Sequence, residues 1–266
     1  MRTMAAFDTP LPTLGRHARV EQIMGMPMSI HVRAQDAARP EIDAAMTRAF
    51  THLRAVDAVF STWRADSQLL RLQHGELSID EAHPWLAEVV ELCLEAEEVT
   101  DGLFSAWRPG VGNTRAIFDP TGLVKGWAVV GAGAHLQVVD EISWCIGAGG
   151  DLAIGTGRGT QQGWPVWRVG IEDPTDRTRI ADVVTLETGG LATSGAAARG
   201  AHVSDPRTGT EVTRPGSVTV TGPDLVRADV WATAAWVDPE RVARLIAERD
   251  TAYTVLHLEA ATAPRE

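Results

Sequence analysis

The amino-acid sequence predicts an α+β fold in a single domain, with mixed sheets and packed helices. Apolar residues recur at helical spacing in the first half of the chain. From residue 142 onward, short apolar strands alternate with glycine and proline clusters, and helices return before the C-terminus. No stretch has the composition of a linker, and this order of elements is typical of one α+β unit.

The N-terminal part is predicted to contain an arm and then a strand. Residues 1–18 are expected to form a flexible arm, and residues 19–266 the folded domain. Polar and apolar residues alternate over 20–33, which predicts a strand broken at Gly25 and Pro27.

The spacing of apolar residues predicts five helices and seven further strands. Helices are predicted over 40–60, after Pro40 at a suitable first position, over 84–100, and over 125–136 just after a glycine-containing turn. Later helices are predicted over 224–236 and 239–249. Strands are predicted over 142–146, 152–154, 166–171, 183–187, 202–204, 217–220 and 253–258.

The charge balance restricts the partners of the chain. The net charge is −11 and no basic run occurs, which argues against a nucleic-acid partner. The same negative field would repel a phosphate-containing substrate unless a cation neutralises it locally. A metal ion is therefore favoured if the substrate is a phosphate ester.

From the cysteines we expect buried core residues, and from the N-terminal sequence a cytoplasmic protein. Cys93 and Cys145 fall in apolar segments and are expected to be core residues, with no zinc spacing and no disulfide framework. We find no signal peptide, no lipid-attachment cysteine and no membrane helix in the sequence, so insertion into a membrane is not expected.

Lys125 is the only lysine among 24 lysines and arginines. It lies between glycines in the segment Asp119–Gly126. A compact ammonium kept in a chain that otherwise uses arginine favours a functional role, although chance retention on the surface remains an alternative.

Asp229 and Thr233 are four residues apart in a predicted helix, so their oxygens share one face. A carboxylate and a hydroxyl on a face of small residues can bind Mg²⁺ as hard ligands. The alternative is that Asp229 interacts with the helix dipole, a role for which Asp224 is better placed.

His202 precedes the turn sequence Asp205-Pro206-Arg207-Thr208-Gly209. A neutral imidazole there could act as a general base near neutral pH. The residues alone leave open a purely structural histidine. Among the nine tryptophans, Trp63 and Trp127 lie within polar segments and could stack on a planar ligand.

Taken in order, these segments resemble the FAD:protein FMN transferase family, also called ApbE-like flavin transferases. The resemblance spans roughly residues 20–258. Its matching segments are Met24–Met26, Phe60–Arg64, Asp119–Gly126, Gly149–Asp151, Ala192–Gly195, His202–Gly209 and Ala228–Ala234.

The resemblance implies a fold with tandem T-fold-like halves and a transfer reaction. FAD would bind as a substrate, with Mg²⁺, and FMN would pass to a threonine hydroxyl of an acceptor protein with release of AMP. Family metal ligands fall on Asp229, Thr233 and the carbonyl of Val124, and the catalytic histidine falls on His202. Family flavin contacts fall on Met24, Gly25, Asp119, Lys125, Gly150, Asp151, Thr193 and Ser194.

The sequence departs from the family pattern at several positions. Ala196-Ala197-Ala198 follow the Ser-Gly pair, and the segment between Arg199 and His202 is short. The family's Ser-x-Leu-Ser-Arg-Leu-Asn appears as Ser67-Gln68-Leu69-Leu70-Arg71-Leu72-Gln73, with a loss of polar groups. Thr121 replaces a usual glycine, Val124 a usual alanine, and Trp63 and Trp127 stand where the family has tyrosines. The departures bear on the adenosine contacts and on acceptor docking. They leave a second reading open, an FAD-binding protein or slow FAD pyrophosphatase with no protein acceptor.

Overall fold

The computed structural model describes residues 14–108, 116–161, 163–195 and 203–258. Its main feature is a seven-stranded sheet with the strand order β1-β2-β5-β6-β9-β10-β11, in which every neighbouring pair is antiparallel. Two small hairpins, β3–β4 and β7–β8, lie outside this sheet. The strands are β1 (Gly15–Ile23), β2 (Met26–Ala34), β3 (Trp107–Arg108), β4 (Ile117–Phe118), β5 (Ser143–Ala148), β6 (Asp151–Thr156), β7 (Trp167–Glu172), β8 (Ile180–Leu186), β9 (Gly189–Gly195), β10 (Ser217–Gly222) and β11 (Thr254–Leu258).

Helices cover the sheet and confirm the predicted α+β class. They are α1 (Pro40–Phe60), α2 (Gln68–Gln73), α3 (Pro84–Val99), α4 (Thr121–Gln137), α5 (Leu225–Val237) and α6 (Pro239–Arg249), with a 3₁₀ turn at Ile79–Glu81. None of the helices in the described ranges combines the length and the hydropathy that a bilayer crossing requires.

The N-terminal strand prediction needs two corrections. β1 begins at Gly15, so residues 15–18 belong to the sheet and not to the arm; residues 1–13 lie outside the described ranges. The predicted single strand is a hairpin of β1 and β2. Its two-residue turn holds Met24 at φ 54° and Gly25 at φ 71°, the pair of positive φ angles that a tight hairpin of this twist requires.

The prediction for the third helix is also corrected. α4 begins at Thr121, four residues earlier than expected, so Gly122 is inside the helix and is not part of a turn before it. The Asp119 carboxylate accepts the amide of Thr121 at 3.1 Å, and the Pro120 carbonyl accepts the amide of Val124 at 3.0 Å. These bonds satisfy amides at the helix start and fix Lys125 one turn further along.

The sequence did not predict strand β9. Its residues are glycine, alanine, threonine and serine around one leucine, which gives no apolar alternation. The small side chains have a packing reason: a Cβ added to Gly190 would lie 2.4 Å from the Leu225 Cα. The glycine therefore lets β9 pass directly under the start of α5.

Packing of the helices brings α4 and α5 over the strands that form the site. α1 packs on α4, α4 packs on α5 and β6, and α5 packs on β9 and β10. Trp231 and Trp236 of α5 are fully buried in this core. Cys93 and Cys145 are buried as predicted, and burial raises the pKa of each thiol to about 12.

Candidate active site

A pocket of about 810 Å³ lies at one end of the main sheet. The register places the turn between β1 and β2, the turn between β5 and β6, and the end of β9 at this same end. Residues of α4 and α5 and of the segment that follows residue 202 also line the pocket. Six of the sequence-predicted site residues line the pocket: Asp119, Lys125, Thr193, Ser194, Asp229 and Thr233.

Asp229 and Thr233 share one face of α5, as their spacing predicted, and this face forms part of the pocket wall. Asp224 is the capping residue, since its carboxylate accepts the amide of Arg227 at 2.9 Å. The helix cap is therefore made by Asp224, and Asp229 lies one turn further along, on the pocket side of α5.

Lys125 lies between two buried carboxylates that come from different parts of the chain. Its ammonium contacts Asp151 Oδ2 closely and lies 3.6 Å from Asp229 Oδ2. The side chains of Asp151 and Asp229 are 0% and 7% exposed, and that of Lys125 is 17% exposed.

This arrangement makes the ionised form of Asp229 costly. Burial raises the pKa of the Asp229 carboxyl above its usual range, and the neighbouring Asp151 carboxylate raises it further, while the Lys125 ammonium acts in the opposite direction. Two carboxylates and one ammonium leave the cluster with one negative charge in excess when all three are ionised. A hard cation reaching Asp229 from the pocket would offset that charge.

Asp151 is held in place by the backbone of β9. Its Oδ1 accepts the amide of Thr193 at 3.1 Å, and the Thr193 hydroxyl pairs with the Thr219 hydroxyl at 2.8 Å. Asp151 is completely buried and does not line the pocket, although its neighbour Gly149 does. On this side of the pocket, a bound ligand can therefore contact Thr193 and Ser194, which line it, but not the buried Asp151.

Arg108 lines the pocket although no sequence pattern predicted it as a site residue. Its guanidinium lies 2.9 Å from Asp119 Oδ2, and both side chains line the pocket. Arg108 stands at the end of the short strand β3 with no polar pattern around it, and only the fold brings it to Asp119. The pair adds one cation and one anion to the wall near Lys125.

His202, the predicted catalytic residue, lies outside the described residues. The residues that follow it, Val203 and Ser204, line the pocket. The predicted strand is wrong for these two, because Ser204 makes only an isolated bridge with Glu211. The predicted turn is present, with the Asp205 carbonyl accepting the amide of Gly209 at 2.8 Å.

The remaining predicted site residues lie near the pocket without lining it. Met24, Gly25 and Gly150 occupy turns at the same end of the sheet, and Val124 is buried within α4. The carbonyl of Val124 is a helical one, which keeps a second lone pair after accepting its helix bond.

Neither tryptophan singled out for stacking lies in this pocket. Trp63 is 92% exposed. Trp127 lies in a separate cavity of about 490 Å³, where its ring packs edge-on against Trp85 and its indole N–H donates to Glu88 at 2.9 Å. A structural role accounts for Trp127.

Two of the departures from the family pattern have structural roles. The Gln68 side-chain oxygen accepts the amide of His83 at 2.6 Å, and the Gln73 amide donates to the Phe118 carbonyl at 2.7 Å. These bonds join α2 to the start of α3 and to β4. The departure at residues 196–200 lies outside the described ranges.

Comparison with known proteins decides the family. A family model described as the ApbE family matches residues 24–116 and 111–256, most of the chain. The chain belongs to the ApbE family. The matched ranges contain every residue of the pocket wall named above.

Two FAD:protein FMN transferases are similar to this chain over roughly three quarters or more of their length. The chain is 28% identical to the FAD:protein FMN transferase of Klebsiella pneumoniae, covering 86% of this chain and 81% of that protein. It is also 28% identical to the FAD:protein FMN transferase of Salmonella typhimurium, over 77% of this chain and 74% of that protein.

Solved ApbE structures share the fold. The ApbE protein of Thermotoga maritima superimposes with a TM-score of 0.75 at 19% identity, covering 94% of this chain and 96% of that one. The flavin transferase ApbE of Vibrio cholerae gives a TM-score of 0.73 at 21% identity, over 92% and 93% of the two chains.

Proposed function

We propose that this protein is an FAD:protein FMN transferase that uses Mg²⁺, moves FMN from FAD to a threonine hydroxyl of an acceptor protein, and releases AMP. The observation that carries the proposal is that Lys125, Asp229, Thr193 and Ser194 line one pocket. The chain that forms this pocket belongs to the ApbE family. FAD:protein FMN transferase is the name of the similar Klebsiella and Salmonella proteins.

The pocket has the size and polarity for a dinucleotide. Its volume of about 810 Å³ is near the upper end of the range of roughly 300–1,000 Å³ for ligand pockets. Hydroxyl groups of Thr193 and Ser194 offer donors on one wall, and Lys125 and Arg108 offer cations. Because Lys125 faces Asp151 and Asp229 and Arg108 faces Asp119, these cations leave no positive excess, and a bound metal ion would have to offset the repulsion between a pyrophosphate and a chain of net charge −11.

The donors around Asp229 fit a magnesium ion. Mg²⁺ prefers carboxylate, hydroxyl and carbonyl oxygens and keeps several waters. Asp229 and Thr233 present such oxygens to the pocket, and the excess negative charge of the Asp151–Lys125–Asp229 cluster favours a divalent cation. We propose Asp229, Thr233 and the Val124 carbonyl as its protein ligands; when bound, the ion would withdraw charge from the pyrophosphate oxygens.

In the proposed reaction an acceptor threonine oxygen attacks the phosphorus on the FMN side of the pyrophosphate. The new P–O bond forms as the bond to the bridging oxygen breaks, and AMP leaves with that oxygen. His202 takes the proton of the threonine hydroxyl. Lys125 offsets the charge that develops on the phosphate oxygens, and Thr193 and Ser194 orient the bound dinucleotide through hydrogen bonds.

The transfer is tested by incubating the protein with FAD, Mg²⁺ and a panel of candidate acceptor proteins. We expect one acceptor to gain the mass of FMN less one water, with AMP formed in equal amount. The gain should disappear when its target threonine is replaced by valine. If FAD is cleaved to FMN and AMP at the same rate with every acceptor and no acceptor gains mass, the protein is a pyrophosphatase; binding without cleavage would indicate FAD storage.

FAD is expected to bind at least about tenfold more tightly with Mg²⁺ than with excess chelator. The physical reason is that a cation held by Asp229 would offset the repulsion between this carboxylate and the pyrophosphate in a partly buried site. Titration followed by flavin fluorescence measures both affinities. Equal FAD affinities with Mg²⁺ and with chelator would show that the metal does not contribute to FAD binding.

A further inference from the structure

The cluster formed by Asp151, Lys125 and Asp229 is asymmetric. Asp151 is bound on both sides, by the Thr193 amide through Oδ1 and by the Lys125 ammonium through Oδ2. Asp229 lines the pocket, and its Oδ2 lies 3.6 Å from the same ammonium. Lys125 is thus held by a fixed, buried carboxylate and reaches towards a second one that faces the ligand.

The ammonium occupies the kind of position that a metal ion would take. It is a compact cation between hard oxygens from two separate elements, β6 and α5. Buried carboxylates are costly without a counter-charge, and the ammonium reduces that cost in the absence of a metal. A cation that binds Asp229 must therefore overcome the attraction that Asp229 already has for Lys125.

We propose that Lys125 is an internal counter-cation that competes with the divalent metal ion for Asp229, with Asp151 as the positioning residue that retains the ammonium when the metal displaces it. This inference rests on the proposed function for the identity of the metal site. In the metal-free protein, Lys125 offsets one of the two carboxylate charges. Once the metal is bound at Asp229, the ammonium remains on Asp151, beside the pocket.

Two variants separate competition from the overall charge of the site. Lys125→Met removes the competitor. The double variant Lys125→Met/Asp151→Asn removes one positive and one negative charge together, so the cluster keeps the same net charge as the parent. A site that responds only to net charge would bind a metal equally in the parent and the double variant, whereas a site with a competing ammonium would bind it more tightly in the double variant.

The probe is Mn²⁺, a hard cation with a similar preference for oxygen ligands, titrated into the FAD-free protein and followed by electron paramagnetic resonance. We expect affinity at least about tenfold higher in Lys125→Met, because a unit charge a few ångströms away is removed from a partly buried site. We expect several-fold higher affinity in the double variant. Its balanced charge keeps the test available if Lys125→Met does not fold.

A matched control is Arg108→Met, which removes another pocket cation. The Arg108 side chain is 61% exposed and paired with Asp119, so screening by solvent should leave the Mn²⁺ affinity close to that of the parent. The thermal midpoint without metal should fall in Lys125→Met and recover on addition of Mn²⁺, because the metal replaces the lost counter-charge.

Equal Mn²⁺ affinity in the parent and the double variant would overturn the competition. In that case a parent that still flavinylates its acceptor would leave the proposed function intact. If neither the parent nor any variant binds Mn²⁺, the proposed metal site is contradicted, and the proposed competition is contradicted as well.

Discussion

Asp229→Asn is expected to abolish metal-dependent flavin transfer while leaving the protein folded. The substitution keeps the shape of the side chain and removes the charge that faces the pocket. A carboxylate that ligates a catalytic metal contributes several kcal/mol to the transition state, so the rate should fall at least about a hundredfold. Stability should not fall, because burial and Asp151 both raise the pKa of Asp229 and so oppose its ionisation in the folded protein.

The measurement is the rate of acceptor flavinylation at saturating Mg²⁺, together with the thermal midpoint. Asp224→Ala on the same helix is the matched control. Loss of this helix cap should cost about 0.5–2 kcal/mol of stability while the rate is retained, since Asp224 does not line the pocket. Parent activity in Asp229→Asn would show that the ligand assignment is wrong, and loss of folding in that variant would assign Asp229 a structural role.

His202→Asn is expected to bind FAD normally and to transfer FMN about 10²–10⁴ times more slowly. A general base acts on the attacking hydroxyl and not on the bound dinucleotide, so affinity and rate should separate. The adjacent Val203 and Ser204 line the pocket in which we propose that the reaction takes place. Flavin fluorescence gives the affinity, and the mass of the acceptor over time gives the rate.

His135→Asn makes the same chemical change away from the pocket. His135 lies on α4 with its ring 5.7 Å from that of His52, and its replacement should leave both affinity and rate unchanged. A His202→Asn protein that flavinylates its acceptor at the parent rate would exclude His202 as the base.

The helices could be predicted from the sequence because each depends on a local repeat. The prediction for α1 was correct at both ends, and that for α3 was correct to within a residue, since proline at the start and a regular apolar face specify them. β9 could not be predicted, because its small residues are selected by the closeness of α5 to Gly190 and carry no periodic signal. The turn at Met24 and Gly25 could be located, but the pairing of two strands across it could not.

Some residues of the site could be predicted from the sequence, but their arrangement in space could not. Helical spacing placed Asp229 and Thr233 on one face, and the single lysine drew attention to Lys125. The resemblance assigned Asp151 to the flavin, whereas the structure buries it under Lys125 and Thr193. Arg108 had no sequence signal, since its role depends on the hairpin that carries it to Asp119.

By itself, the sequence determined the α+β class, the main helices and the family resemblance, because these depend on local periodicity and on the order of short segments. Only the tertiary structure decided which of the predicted site residues line the pocket and which are buried behind its wall. Asp151 and Asp229 are 78 positions apart in the chain. They meet at Lys125 because β6 begins at the end of the sheet that α4 and α5 cover. Burial, contact with the lysine and access to the pocket follow from that packing, which no local pattern encodes.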